Sequence, residues 1–157
     1  MLPHCTRVLP LAALLVAVCG AGAVHAQAQP TKAEQLLKYR KAVYQTIVWN
    51  FGPMSAMAQG KIPYDAAEFA MRAGRVAALT PMIGESYAAE SRDVAGSKAK
   101  PELWSNRADF DARLKTLVER SAVLAKVAQG GDEAASRAAF LDTAGACKAC
   151  HEKYRAD

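Results

Sequence analysis

Histidine is scarce in this 157-residue chain, and beyond residue 26 only His151 remains. A lone imidazole excludes a serine–histidine–aspartate triad away from that position, and it excludes zinc or iron sites built from two or three histidines. Cysteine is nearly as sparse, with four in all, of which Cys147 and Cys150 sit three residues apart near the C-terminal end. Thiols that close make no framework of bridges between distant loops. Period-two alternation of β-branched residues is absent, so no strand is expected. No dense stripe of Lys and Arg is interleaved with aromatics, which argues against a nucleic-acid surface. The longest unbroken apolar run, Leu11 to Cys19, has nine residues, far short of the roughly 20 that a membrane span needs.

Charge is missing from one long stretch, between Arg7 and Lys32. Arg7, the apolar run, the small residues after it and then Val24-His25-Ala26, with Val at minus three and Ala at minus one of a cut, have the layout of a secretory signal. Pro10, Gly20, Gly22 and His25 dilute the stretch as a retained anchor. Val18 is too large before Cys19 for a lipoprotein signal. Residues 1–26 are therefore expected to be removed on export, leaving 157 less 26, or 131 residues, as one domain over residues 27–157. Cys5, Cys19, His4 and His25 leave with the signal. Loss of Arg7 takes the formal charge from +5 to +4.

The mature sequence is rich in Ala, Leu, Glu, Lys and Arg and reads as all-α, with four helical stretches and no internal repeat. The first starts near a Thr31 N-cap and presents Leu36, Arg40, Val43, Tyr44, Ile47, Val48 and Phe51 at spacings of three and four. Gly52-Pro53 is expected to kink or end it, because proline lacks an amide hydrogen and crowds the preceding turn, with Met54 and Met57 continuing past a kink. Asp65-Ala66-Ala67-Glu68 has capping-box spacing and opens a second helix to about Leu79. Residues 80–101, with Pro81, Gly84, Gly96 and Pro101, read mainly as a long connection with room for one helical turn inside it. A third helix from about Ser105 or Asn106 carries Phe110, Leu114, Leu117, Ser121, Leu124 and Ala128 to a stop at Gly130-Gly131. Asp132 caps the fourth, whose inner face includes Phe140, Ala144, Cys147, Cys150, His151 and Tyr154.

Cys147-Lys148-Ala149-Cys150-His151 is the C-x-x-C-H pattern of covalent c-type haem attachment. Thiols three residues apart on a helix match the two haem vinyl groups, and the following His projects from the same face towards iron. The competing readings are a redox pair, an incidental disulfide or zinc. A thioredoxin-like site needs flanking strands, and zinc needs two further ligands that no other Cys or His supplies.

A motif of this kind near the C-terminus of a four-helix chain resembles the class II c-type cytochromes, the cytochrome c′ family. The resemblance runs through Lys38-Tyr39-Arg40, Phe51-Gly52-Pro53-Met54, Pro63-Tyr64-Asp65-Ala66-Ala67, Pro101-Glu102-Leu103-Trp104 and Cys147 to Arg155. It implies an up-down-up-down antiparallel four-helix bundle around a covalently bound haem. One haem c would be held through Cys147 and Cys150, with iron on His151. It also implies that Arg40 reaches a haem propionate, Tyr44 lies over the iron, and Arg155 stands on the His151 side near the imidazole or a propionate. Low-spin relatives use a helix-one methionine as sixth ligand. This chain has none between Lys32 and Phe51, and Met54 and Met57 are expected in the core. Trp104 is expected to pack beneath the connection. Lys148 and Lys153 either rim the haem edge or form a solvated basic face.

The function that follows is a periplasmic, non-enzymatic haem protein with five-coordinate high-spin iron, taking part in electron transfer and binding small diatomics such as nitric oxide and carbon monoxide. A six-coordinate low-spin electron shuttle is the alternative. A peroxidase-like enzyme would want a distal acid-base histidine, and none is spare. The partners implied are an unidentified periplasmic redox protein and a second copy of the chain, meeting through apolar residues such as Val48, Phe69 and Met71. Two ionised propionates would lower the mature charge to about +2, and no membrane association is expected after cleavage.

Overall fold

A computed structural model describes residues 29–156, so the expected signal at 1–26 lies outside the described residues. Four long helices carry the fold: α1 (Lys32–Ala58), α2 (Ala66–Leu79), α4 (Arg107–Ala128) and α5 (Glu133–Tyr154), with the single-turn α3 (Glu102–Ser105) leading into α4. They form an antiparallel four-helix bundle. In it α4 packs on α5 and α2, and α2 packs on α1, whereas α1 and α5 touch only sparingly. That opening between the first and last helices holds the site.

The helix starts follow from local chemistry. Thr31 and Glu34 form a reciprocal capping box, and the Asp132 side chain accepts from the Ala135 amide. At α2 only half of the expected box forms. Asp65 accepts from the Glu68 amide, while the Glu68 carboxylate holds Arg72 at 2.7 Å. Gly60 and Gly131 take positive φ, 67° and 74°, where α1 and α4 have just ended. This is the left-handed turn that glycine makes without strain.

Helix α1 does not end at Gly52-Pro53 but runs through it to Ala58, and Met54 and Met57 are buried in its continuation. Pro53 leaves the Trp49 carbonyl without its amide donor, and Arg72 Nη1 of α2 donates to that carbonyl at 3.1 Å. The connection is also more ordered than expected. Two 3₁₀ segments, Thr80–Ser86 and Ala89–Ser91, precede α3.

Two apolar clusters fill the bundle. Met54, Met57, Phe69, Val76, Leu124 and Phe140 occupy one end, with the Phe51 and Phe140 rings 4.4 Å apart. Burial of each large side chain stabilises by about 2 to 3 kcal/mol. Phe69 is wholly buried here, so it is core and not the exposed contact residue it was expected to be. Val48 and Met71 are exposed as expected, and Trp49 is more exposed than either. Val43, Ile47, Tyr87, Leu103, Phe110 and Tyr154 form the second cluster, against which Tyr44, Cys147 and Cys150 pack.

Candidate functional site

A cavity of about 510 Å³ opens beside the second cluster, and a deeper one of about 220 Å³ adjoins it. Tyr44, Val48, Phe110, Cys150 and His151 line both, so the two are lobes of one space between α1 and α5. Cys147 lines the deeper lobe, which is otherwise almost wholly apolar. Arg40, Lys41, Lys98 and Arg155 stand in the wall of the outer lobe, with no carboxylate among its lining residues.

Cys147, Cys150 and His151 are each half-buried on the inner side of the last two turns of α5, with Lys148 and Ala149 exposed between them. Burial pushes both thiols above the usual cysteine range. Cys150 adds to the rise at Cys147, while the Arg113 cation opposes the rise at Cys150. Burial and then the Arg155 cation push His151 down, which favours the neutral imidazole that ligates metals. No three or more Cys, His, Asp or Glu side chains are grouped to hold a metal ion among the described residues, so the zinc alternative lacks a ligand set.

On the facing helix, Tyr44 lines both lobes, with its hydroxyl 3.3 Å from that of Tyr87. Arg40 is 5% exposed and is no solvated surface arginine. Its guanidinium donates to the Ser86 carbonyl and Ser91 Oγ, each at 2.7 Å, and to Ser97 Oγ at 2.9 Å. It also lies over the Tyr87 ring at 4.0 Å. A further donor, Nε, is buried without an acceptor. An orphaned cationic donor in a cavity wall suits a carboxylate from whatever fills the cavity.

Arg155 keeps its side chain exposed at the outer lobe, but its backbone is not frayed. Its amide bonds the His151 carbonyl at 3.0 Å, and the segment pairs with the connection through an Ala99–Arg155 bridge. Trp104 packs against Tyr87 with its indole N–H on the Ala88 carbonyl, beneath the connection as expected. Lys148 is paired with Glu152 and Lys153 with Asp109, so neither is a bare positive rim. Tyr87 and the three serines that bind Arg40 escaped sequence reasoning. They lie in the connection, five and six residues apart at the serines, with no periodicity to mark them.

A pair of cysteines three residues apart, an imidazole and an apolar slot facing a helix-one tyrosine form the wall expected of one family, and the family model described as Cytochrome C' matches residues 35–155. The chain belongs to the cytochrome c′ family. Cytochrome c' of Alcaligenes xylosoxydans xylosoxydans is 34% identical over 127 residues, covering 81% of this chain and 98% of the relative. The solved cytochrome c prime from Shewanella frigidimarina superposes with a TM-score of 0.77 at 36% identity, covering 82% of this chain and 100% of that one. A nitric oxide complex of a variant of cytochrome c prime from Alcaligenes xylosoxidans superposes with a TM-score of 0.74 at 30% identity, covering 82% of this chain and 99% of that one. Cytochromes c′ are haem proteins of the electron-transfer type, and the all-α bundle agrees with that membership.

Proposed function

We propose that this cytochrome c′ is a periplasmic haem protein that takes part in electron transfer and binds nitric oxide and carbon monoxide. One haem c is held by thioethers at Cys147 and Cys150, with His151 as the iron ligand. The observation that carries this reading is the two-lobed cavity whose α5 wall presents Cys147, Cys150 and His151 while α1 presents Arg40 and Tyr44. When bound, the haem would supply a one-electron couple and an iron able to take a diatomic ligand.

The protein's own residues do the rest. His151 donates its neutral nitrogen from one wall. Arg40 offers its free Nε to a propionate, and Arg155 adds a second cation at the outer lobe. Tyr44 shields the opposite wall. Its burial, and then Tyr87, push its phenol far above the usual range, so it stays protonated and a poor ligand. No methionine lines either lobe, and Met54 and Met57 belong to the other cluster, which favours a five-coordinate high-spin iron over the six-coordinate shuttle.

Intact mass under denaturing conditions tests attachment. The expected species lacks residues 1–26 and carries one haem, and a haem-free mass would end the reading. Ferric and ferrous absorption spectra test coordination, where a low-spin six-coordinate resting spectrum would transfer the preference to the shuttle. The chain is further proposed to be a homodimer through the exposed Val48, Trp49 and Met71. Sedimentation equilibrium at micromolar concentration checks this, and a monomer throughout would count against it.

A further inference from the structure

One oxygen of Asp109, in the first turn of α4, collects three donors from two helices. Asp109 Oδ2 accepts from Tyr154 Oη at 2.5 Å, from Arg113 Nε at 2.7 Å and from Lys153 Nζ at 3.0 Å. Arg113, oriented by that carboxylate, also donates through Nη1 to the Ala149 carbonyl at 3.1 Å. Ala149 lies two residues before His151, and Lys153 and Tyr154 lie two and three after it. The turn that bears the histidine is therefore gripped on both sides from one point on α4. This turn is the last of α5, where a helix lacks its closing hydrogen bonds and tends to fray.

We propose that Asp109 is a positioning residue for His151, holding the final turn of α5 against α4 so that the imidazole keeps one placement at the cavity wall. The proposal rests on the reading of His151 as the iron ligand. Asp109 and Lys153 line neither lobe, so their role is exerted through the turn and not by contact with what fills the cavity. The Asp109 side chain is 39% exposed, so its charge is screened at the site, and the effect on the ligand is geometric. Partners one step removed from a metal-ligating histidine fix its orientation in this way. Another ion pair, Arg120–Asp142 at 2.8 Å, links the same two helices away from the motif and provides a control.

The test compares wild-type holoprotein with Asp109→Asn, Asp109→Glu, the milder Tyr154→Phe, and Arg120→Ala. Amide hydrogen exchange across residues 150–155 and the iron–histidine stretching band of the ferrous protein are measured on each, with intact mass as a separate reading. In Asp109→Asn, exchange in that turn should speed up by about tenfold, and the iron–histidine band should shift and broaden. Tyr154→Phe should do so to a lesser degree, Asp109→Glu should largely restore the band, and Arg120→Ala should leave both unchanged. A wild-type band in both Asp109→Asn and Tyr154→Phe overturns the proposal, whether or not exchange accelerates, because Asp109 would then serve helix packing alone. A wild-type mass without haem overturns the reading of the site itself, and this proposal falls with it.

Discussion

Tyr44 and Tyr87 share a hydroxyl contact inside the cavity, and burial is the first cause that raises both phenols above their ordinary range. A group whose proton is held more tightly in the folded state stabilises fully below its unfolded value of about 10, and that stability is lost as pH rises beyond it. Tyrosinate absorbance from these two should therefore develop only above the ordinary phenol value of about 10, together with loss of the fold. Ionisation of Tyr44 and Tyr87 near that value in the still-folded protein, read by comparison with Tyr44→Phe and Tyr87→Phe, would contradict the burial argument. Removal of the shield has its own outcome. Tyr44→Ala should raise both the affinity and the association rate of the ferrous protein for carbon monoxide, because an incoming ligand no longer has to displace the ring. Unchanged kinetics would take Tyr44 out of the ligand's path. Arg40 anchors the connection by three hydrogen bonds, so Arg40→Met should lower stability to urea by about 3 kcal/mol, as expected when bonds to a buried charged group are lost. A loss below about 0.5 kcal/mol would mean that the serines re-pair among themselves.

Among the elements, α1 shows how a neighbour can rescue a helix-breaking residue. The carbonyl that Pro53 leaves open is filled by Arg72, which is itself oriented by Glu68 one turn earlier on α2. Arg72→Met should therefore cost about 1 kcal/mol in the wild-type chain. In a Pro53→Ala background, whose restored amide closes the same bond, it should cost clearly less. A double-mutant cycle in chemical denaturation measures the difference, and strict additivity would show that the Arg72–Trp49 contact contributes nothing to helix continuity. The connection behaves similarly as an element. It carries no apolar period of its own, and its order comes from Arg40 on one side and the Lys98–Lys100 pairing with the C-terminal end of α5 on the other.

At the scale of the whole molecule, the bundle is built around a space that side chains do not fill. A dry void of about 510 Å³ would cost on the order of 10 kcal/mol, as much as the net stability of a typical domain. Without a cofactor, then, water floods the cavity or the helices close in. Cys147→Ala combined with Cys150→Ala is expected to abolish haem retention and to remove much of the helical circular dichroism. Native helicity in a haem-free double variant would show that the other cluster, around Phe69, Phe140 and Met54, holds the bundle by itself.

The C-x-x-C-H motif was legible because its chemistry is local: five contiguous residues on one helix set the spacing of thiols and imidazole whatever the rest of the chain does. The helices were legible for the same reason, since periodicity and the side chains of Thr31, Asp65 and Asp132 act within one or two turns. The continuation of α1 through Pro53 was not, because the compensating donor lies 23 residues away on another helix. Phe69 could not be assigned to core or surface from its own helix, because burial depends on which face α2 turns towards α1 and α4. Tyr87, Ser86, Ser91 and Ser97 meet Arg40 across separations of up to 57 residues, and Asp109 meets Tyr154 across 45. Such meetings depend on the packing angle and register of whole helices, which no local pattern encodes. The amino-acid sequence alone thus determined the helical class and the spacing of the two thiols and the imidazole, while tertiary structure decided which residues line the cavity opposite them and which grip the turn that bears His151, because those relations exist only once distant segments are brought together.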